Sequence, residues 1–183
     1  MNASVLKENF EKHKFHTSFF KTRDEAADYL KERIQGTTVG IGGSVTVEEL
    51  GVYEALKEAN TAVYWHWKDT APDTRLKARD AEVYLLSANA VSESGEIVNI
   101  DGSGNRLSAS VFGPKRVYYV IGKNKIAPDL HAAIKRAREV AAAKNAVRLK
   151  KEAEEICSAT LILSRPCTGM EVELLFIDEE LGY

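Results

Sequence analysis

A glycine-rich segment is the first place where this sequence could hold a ligand. It consists of Gly40, Ile41, Gly42, Gly43, Ser44, Val45 and Thr46, between an apolar run and a helical pattern. Its glycines allow the backbone to approach a ligand closely, and the next helix would offer unpaired N–H groups to a phosphate or carboxylate. The spacing matches neither the dinucleotide fingerprint nor a Walker loop. A capping box of Thr46 and Glu49 is the alternative, and it would make the segment a plain tight turn.

A second polar segment, residues 99–106, follows a predicted strand and reads Asn-Ile-Asp-Gly-Ser-Gly-Asn-Arg. Here Asp101 could act as a base or charge partner, while Arg106 could bind an anionic substrate through two hydrogen bonds. Asp-Gly and Gly-Asn are also common turn dipeptides, so the other interpretation is an Asp–Arg pair that only braces a loop.

Two further polar groups come directly after predicted strands, namely the Asn89 amide and the Lys125 amine. In open parallel sheets, ligands bind beyond the carboxyl ends of the strands, so these groups could meet at one edge. We therefore predict one site for an anionic small molecule. Its predicted catalytic residues are Asp101 and Arg106, and its predicted ligand-binding residues are Gly40, Gly42, Gly43, Ser44, Thr46, Asn89, Gly102, Gly104, Asn105 and Lys125.

The elements that must position these residues follow from hydrophobic periodicity. Strands are predicted at residues 38–41, 61–65, 82–87, 96–100, 116–121, 159–164 and 171–177, and helices at 4–15, 22–36, 47–56 and 128–149. Continuous apolar strands that alternate with helices predict an α/β fold with a mostly parallel sheet and helices on both faces. Neither a repeat nor a linker interrupts the pattern, so we expect a single domain over residues 1–183.

Composition excludes several classes of protein. The 25 Lys and Arg residues nearly balance the 27 Asp and Glu residues, whereas a general nucleic-acid binder would carry a basic excess. No apolar run approaches the roughly 20 residues that span a bilayer, and residues 1–14 lack a signal-peptide core, so we expect a cytoplasmic protein. The basic face of the long helix is interspersed with glutamates, and we interpret it as a solvated surface.

The histidines and cysteines predict neither a metal site nor a cofactor. Four histidines are present, and only His13 and His16 have a spacing that could share a helix face. Metal binding needs at least three convergent ligands, so surface histidines are the favoured interpretation. Cys157 and Cys167 are too few for a disulfide scaffold or a cluster.

At the same segments, the sequence resembles the lactate-utilization (LUD) domain family of bacterial proteins. The resemblance runs through residues 39–51, the long segment 89–106, Phe112-Gly-Pro-Lys115 and the closing Leu181-Gly-Tyr183, so it covers nearly the whole chain. It implies a fold similar to the ribose-phosphate isomerase and CoA-transferase (NagB/RpiA) group, in which a glycine-rich loop holds phosphate or another anionic group. It also implies a role in L-lactate oxidation beside iron–sulfur partner subunits.

Two departures limit what the resemblance implies. Many family members have a cysteine-rich loop between the long helix and the last strands, whereas residues 149–156 here run straight into Cys157, so we expect no iron–sulfur cluster in this chain. The related sugar-phosphate isomerases tend to have an aspartate where Asn89 stands. An amide cannot accept a proton at neutral pH as a carboxylate can, which argues against isomerase chemistry at that position.

Three functions follow from these observations, and all three stay open at the level of sequence. We favour an anion-binding protein of bacterial lactate or organic-acid utilisation, serving as an accessory subunit of a redox system. A non-catalytic protein-interaction module is the second, and a sugar-phosphate or acyl-group transferase or isomerase-like enzyme is the third. Because dimers are the commonest soluble homo-oligomers, a homodimer is the expected assembly.

Overall fold

The computed structural model describes all 183 residues and contains a six-stranded sheet in which every pair of neighbours is parallel. The strand order is β1-β10-β7-β4-β2-β3. These strands are β1 (His16–Phe20), β2 (Thr38–Ile41), β3 (Ala62–Trp65), β4 (Val83–Leu86), β7 (Arg116–Gly122) and β10 (Glu171–Ile177). The predicted α/β class and its largely parallel sheet are confirmed.

Both faces of this sheet are apolar, which explains the continuous apolar runs in the sequence. Along β4, Val83 and Leu85 face one core, whereas Tyr84 and Leu86 face the other. The first core is covered by α2 (Arg23–Arg33), α3 (Val45–Glu49) and α4 (Tyr53–Ala59), and the second by α1 (Ala3–Lys12), α5 (Thr74–Arg79) and α6 (Asn105–Val111). Because strand side chains alternate between faces, a strand covered on both sides shows no polar alternation.

A second sheet of four strands was not predicted. Its order is β8-β5-β6-β9, formed by β8 (Ile126–Ala127), β5 (Ala90–Ser92), β6 (Ile97–Asp101) and β9 (Ala159–Leu163). The strands predicted at residues 96–100 and 159–164 pair here, antiparallel to each other, and not in the large sheet. One side of this small sheet packs on the second core through Val91 and Ile97, and the other side packs against the long helix.

The helices differ from the predicted ones in three places. The helix predicted over residues 47–56 is two short helices, α3 and α4, because Gly51 adopts a left-handed φ of 65° between them. The short helices α5 and α6 were missed. The long helix consists of α7 (Leu130–Arg136), a π turn (Ala137–Ala142) and α8 (Ala143–Leu149). No helix is both long and apolar enough to cross a membrane.

Gly40 has a structural role inside the large sheet. A Cβ atom at this position would overlap the carbonyl oxygen of Ala78 in α5 and lie 2.8 Å from the Tyr84 ring. We expect Gly40→Ala to lower the free energy of unfolding by about 1–3 kcal/mol, because β2 and α5 would have to separate. Urea denaturation measures this change. Thr61→Ala, at an exposed position, is the control, and equal stability of both variants would contradict the close approach of β2 and α5.

Candidate functional site

The carboxyl ends of several strands converge on one cavity of about 630 Å³. Gly43 to Thr46 follow β2, His66 and Trp67 follow β3, and Ser87 to Asn89 follow β4. Lys125 follows β7, and the segment after β6 closes another side. The remaining wall comes from α8, through Asn145 and Arg148. The large sheet therefore gathers polar groups that are far apart in the sequence.

Nine of the twelve predicted site residues line this cavity. They are Gly43, Ser44, Thr46, Asn89, Asp101, Gly102, Asn105, Arg106 and Lys125. Three predicted residues lie outside the lining. Gly40 is packed within β2, Gly42 lies under Arg106, whose Cγ would be 3.0 Å from an added Cβ atom, and Gly104 precedes α6 with a φ of 76°. Close approach to protein atoms at the first two positions, and a left-handed turn at the third, are reasons for glycine that involve no ligand.

The glycine-rich segment ends in a helix whose N-terminal cap differs from the predicted one. Ser44 caps α3, its hydroxyl accepting a hydrogen bond from the Val47 N–H at 3.2 Å, so the predicted Thr46–Glu49 capping box is wrong. Thr46 donates to the Leu181 carbonyl instead, and the Glu49 carboxylate accepts from the Gly182 N–H. Because α3 has only five residues, its dipole contributes little, and anion binding would depend on the side chains around the cavity.

Asp101 and Arg106 form a buried ion pair at the cavity wall, with 6% and 16% of the side chains exposed. The Arg106 Nε donates to Asp101 Oδ2 at 2.9 Å, and the N–H groups of Ser103, Gly104 and Arg106 donate to the same carboxylate. Burial alone would raise the pKa of Asp101, but the Arg106 charge and these N–H groups outweigh it and lower the pKa. Asp101 therefore braces the turn into α6 and fixes the Arg106 guanidinium.

Asn89 connects the large sheet to the small one. Its side-chain oxygen accepts from the Ile100 N–H at 2.7 Å, and its backbone N–H donates to the Asn99 side chain at 2.9 Å. The backbone carbonyl of Asn89 accepts from Arg136 on α7. Since the oxygen of the Asn89 amide is occupied by β6, its NH₂ group is the part that a ligand could use, as a hydrogen-bond donor.

Lys125 is a buried amine at the cavity, with only 4% of the residue exposed. Its Nζ donates to the Ala88 carbonyl at 3.2 Å. Burial, followed by the charges of Arg136 and Arg106, lowers the pKa of Lys125 to about 7. The amine is therefore about half neutral at neutral pH, unlike an ordinary lysine.

Several lining residues were missed by sequence reasoning, chiefly Arg75, Arg148, Lys151, His66, Trp67 and Tyr183. Arg148 and Lys151 belong to the basic surface that we interpreted as solvated. The Arg148 guanidinium lies 4.9 Å from the centre of the Trp67 ring and donates to Asn145. Asn145 and Arg148 are three residues apart, so the sequence indicates that they share one face of the helix. It does not indicate which face of the helix meets the cavity.

The cavity wall carries more positive than negative charge. Its cationic side chains are Arg75, Arg106, Lys125, Arg148 and Lys151, and its carboxylates are Asp101 and Glu155. Asp101 pairs with Arg106 and Glu155 with Lys151, which leaves the other three cations without a carboxylate partner. Burial and the charge of Arg75 lower the pKa of His66, so this ring is neutral at pH 7.

Together, the parallel sheet, the added antiparallel sheet and the strand-end cavity define an α/β domain built to present polar groups at one edge. A family model described as LUD domain matches residues 3–170. The chain therefore belongs to the LUD domain family, as the resemblance implied. No curated protein matches the sequence.

A solved structure shares the fold. The crystal structure of a DUF162 family protein from Deinococcus radiodurans aligns with a TM-score of 0.59 at 9% sequence identity. The alignment covers 96% of this chain and 96% of that one. The shared fold thus spans nearly the whole of both chains.

Proposed function

We propose that this protein binds a small organic anion in the strand-end cavity and acts in bacterial lactate or organic-acid utilisation, as an accessory component of a redox system. The observation that carries the proposal is that two cationic side chains without a carboxylate partner, Arg75 and Arg148, line one polar cavity together with the Lys125 amine. A carboxylate that enters the cavity would complete the ion pairs that these side chains lack. Charge-assisted hydrogen bonds of this kind are stronger than neutral ones.

The cavity volume supports a ligand of metabolite size. About 630 Å³ lies within the range of small-molecule sites and exceeds what lactate alone would fill. The buried end, with Arg106, Asn89 and Lys125, offers a guanidinium, an amide NH₂ and an amine within one region. A carboxylate held there would leave the rest of a larger acid facing Trp67 and Arg148.

The redox part of the proposal follows from family membership. LUD proteins of lactate oxidation work beside iron–sulfur subunits, and the proposed role for this chain is to hold the organic acid for such a partner. Asp101 already accepts hydrogen bonds from five donors, which favours a binding role over general-base catalysis for this carboxylate. The predicted catalytic role of Asp101 stays a prediction.

Removal of one cavity cation tests the proposal. Organic acids, sugar phosphates and CoA are titrated against the wild type, and we expect Arg148→Ala to weaken the best binder by about tenfold or more through the loss of a charge-assisted hydrogen bond. Isothermal titration calorimetry measures the affinity. Arg138→Ala is the matched control, since Arg138 is exposed on the same long helix and outside the cavity. Equal affinities of both variants, or no binding by any anion, would overturn the proposal.

A further inference from the structure

The amine of Lys125 differs from the other lysine at the cavity. Lys151 is exposed to solvent, and its Nζ lies 3.8 Å from the Glu155 carboxylate. Lys125 is buried, has no carboxylate partner, and donates one hydrogen bond to the Ala88 carbonyl. Because a neutral amine donates through N–H and keeps its lone pair, this bond leaves the nucleophilic electron pair of Lys125 free.

The charged groups around Lys125 favour that neutral form. Arg136 on α7, Arg106 on α6 and Lys144 on α8 all oppose a positive charge on the amine, and Glu49 on α3 acts in the other direction. A desolvated lysine beside other cations is the arrangement that proteins use to make a nucleophilic amine at neutral pH. Lys125 therefore lines the cavity and has surroundings that favour its neutral, nucleophilic form.

We propose that Lys125 forms an imine with a ligand whose anionic group is held by Arg106, and that this ligand belongs to the class of small acids carrying a ketone or aldehyde. The inference rests on the proposed function, since the same cavity must first bind the anion. The Lys125 nitrogen attacks the carbonyl carbon, and a C–N bond forms as the C=O π bond opens. The carbonyl oxygen then leaves as water with the two hydrogens of the amine, and the C=N bond remains.

Neighbouring groups fit this step. Arg106 is fixed by Asp101 and can hold a carboxylate, while the Asn89 NH₂ can donate to the carbonyl oxygen as negative charge develops on it. Both residues line the cavity together with Lys125. An acid with a hydroxyl in place of the carbonyl could bind through the same carboxylate contacts but could not form the covalent bond.

Reductive trapping tests the inference. The full-length protein is incubated with pyruvate, glyoxylate or 2-oxoglutarate and sodium cyanoborohydride, and the product is analysed by intact mass and peptide mapping. With pyruvate, we expect one adduct equal in mass to pyruvic acid less one oxygen atom. It should lie on Lys125, with about tenfold or more label there than on any other lysine. Lactate, which has no ketone, should give no adduct.

Two variants separate the outcomes. Lys125→Arg keeps a positive charge but removes the primary amine and should abolish the adduct, whereas Lys135→Arg, at an exposed position of α7 outside the cavity, should leave it unchanged. If the acids bind in calorimetry but no oxo acid labels Lys125, the imine is refuted and the anion site stands. Equal labelling of Lys151 and Lys125 also refutes it. If neither binding nor labelling occurs, both the imine and the proposed function are overturned.

Discussion

Asp101→Ala is expected to lower the free energy of unfolding by about 3–5 kcal/mol at neutral pH. The substitution leaves the Arg106 guanidinium, only 16% exposed, without its carboxylate. It also removes the acceptor of three backbone N–H groups at the turn into α6. Loss of one partner from a buried pair costs far more than loss of an exposed pair. Chemical denaturation of wild type and variant measures the difference.

Asp69 supplies the control for this prediction. Its carboxylate also accepts hydrogen bonds, from the Ala71 N–H and the Thr74 hydroxyl, but it is exposed and has no guanidinium partner. We expect Asp69→Ala to cost about 1 kcal/mol or less. If both alanine variants lose the same stability, the buried pair does not hold the turn.

The pH dependence of the same pair has a definite sign. Because the pKa of Asp101 is lowered in the folded state, its contribution is fully present above the unfolded pKa of about 3.9 and is lost as the pH falls through the folded value. The stability gap between wild type and Asp101→Asn should therefore be constant near neutral pH and shrink in acid. A gap that widens below pH 4 would contradict the lowered pKa.

Lys125→Met is expected to have the opposite effect and raise the free energy of unfolding at pH 7 by about 2–4 kcal/mol. Burial disfavours the ammonium form of this lysine, which has no carboxylate partner, whereas methionine has a similar length and no charge to desolvate. A measured gain would show that the native side chain is retained at the expense of stability, as functional residues often are. Thermal and urea unfolding measure the gain, with Lys151→Met as the exposed control of near-zero effect.

The gain in unfolding free energy of Lys125→Met over the wild type should depend on pH. The unfolded lysine binds its proton up to about pH 10.4, whereas in the folded protein the pKa of Lys125 is about 7. Between these values the unfolded state binds more protons, so wild-type stability rises with pH and the advantage of the methionine variant shrinks. An advantage that grows between pH 7 and pH 10, or a destabilised variant, would show that Lys125 is not held neutral by burial.

The sequence predicted those parts of the fold that local chemistry determines. The helix predicted to start at residue 22 does so, with Thr22 and Glu25 forming a capping box before α2, and β2 has the predicted bounds. The small sheet was not predicted, because β5 has three residues and β8 only two, and strands this short show no hydrophobic periodicity. The segment 99–106 was interpreted as a loop, since Asp-Gly and Ser-Gly dipeptides conceal that α6 begins at Asn105.

The site was predictable where a residue lies in a segment that directly follows a predicted strand. Asn89 and Lys125 satisfied that rule and line the cavity. Arg75 and Arg148 do not, because each lies on a helix whose docking depends on contacts across the whole domain. Gly40 and Gly42 were predicted to bind a ligand, which stays a prediction, and in the structure they lie close to Ala78, Tyr84 and Arg106. A glycine in a sequence indicates that another group comes close to the backbone, but it does not indicate whether that group belongs to a ligand or to the protein itself.

The π turn at Ala137–Ala142 changes which face of the long helix points in a given direction, so the parts before and after it contact different surroundings. Ala133, before the π turn, and Ala137, its first residue, pack on the small sheet, and after the turn, Asn145 and Arg148 line the cavity. A π turn closes i→i+5 hydrogen bonds and so holds one residue more than the α-helical turn it replaces. If the same residues formed an unbroken α-helix, everything beyond the turn would be rotated by about 100°, since an α-helix has 3.6 residues per turn. The face of α8 that forms the cavity wall is thus set by backbone hydrogen bonding within the helix, independently of the sheets and the strand-end residues.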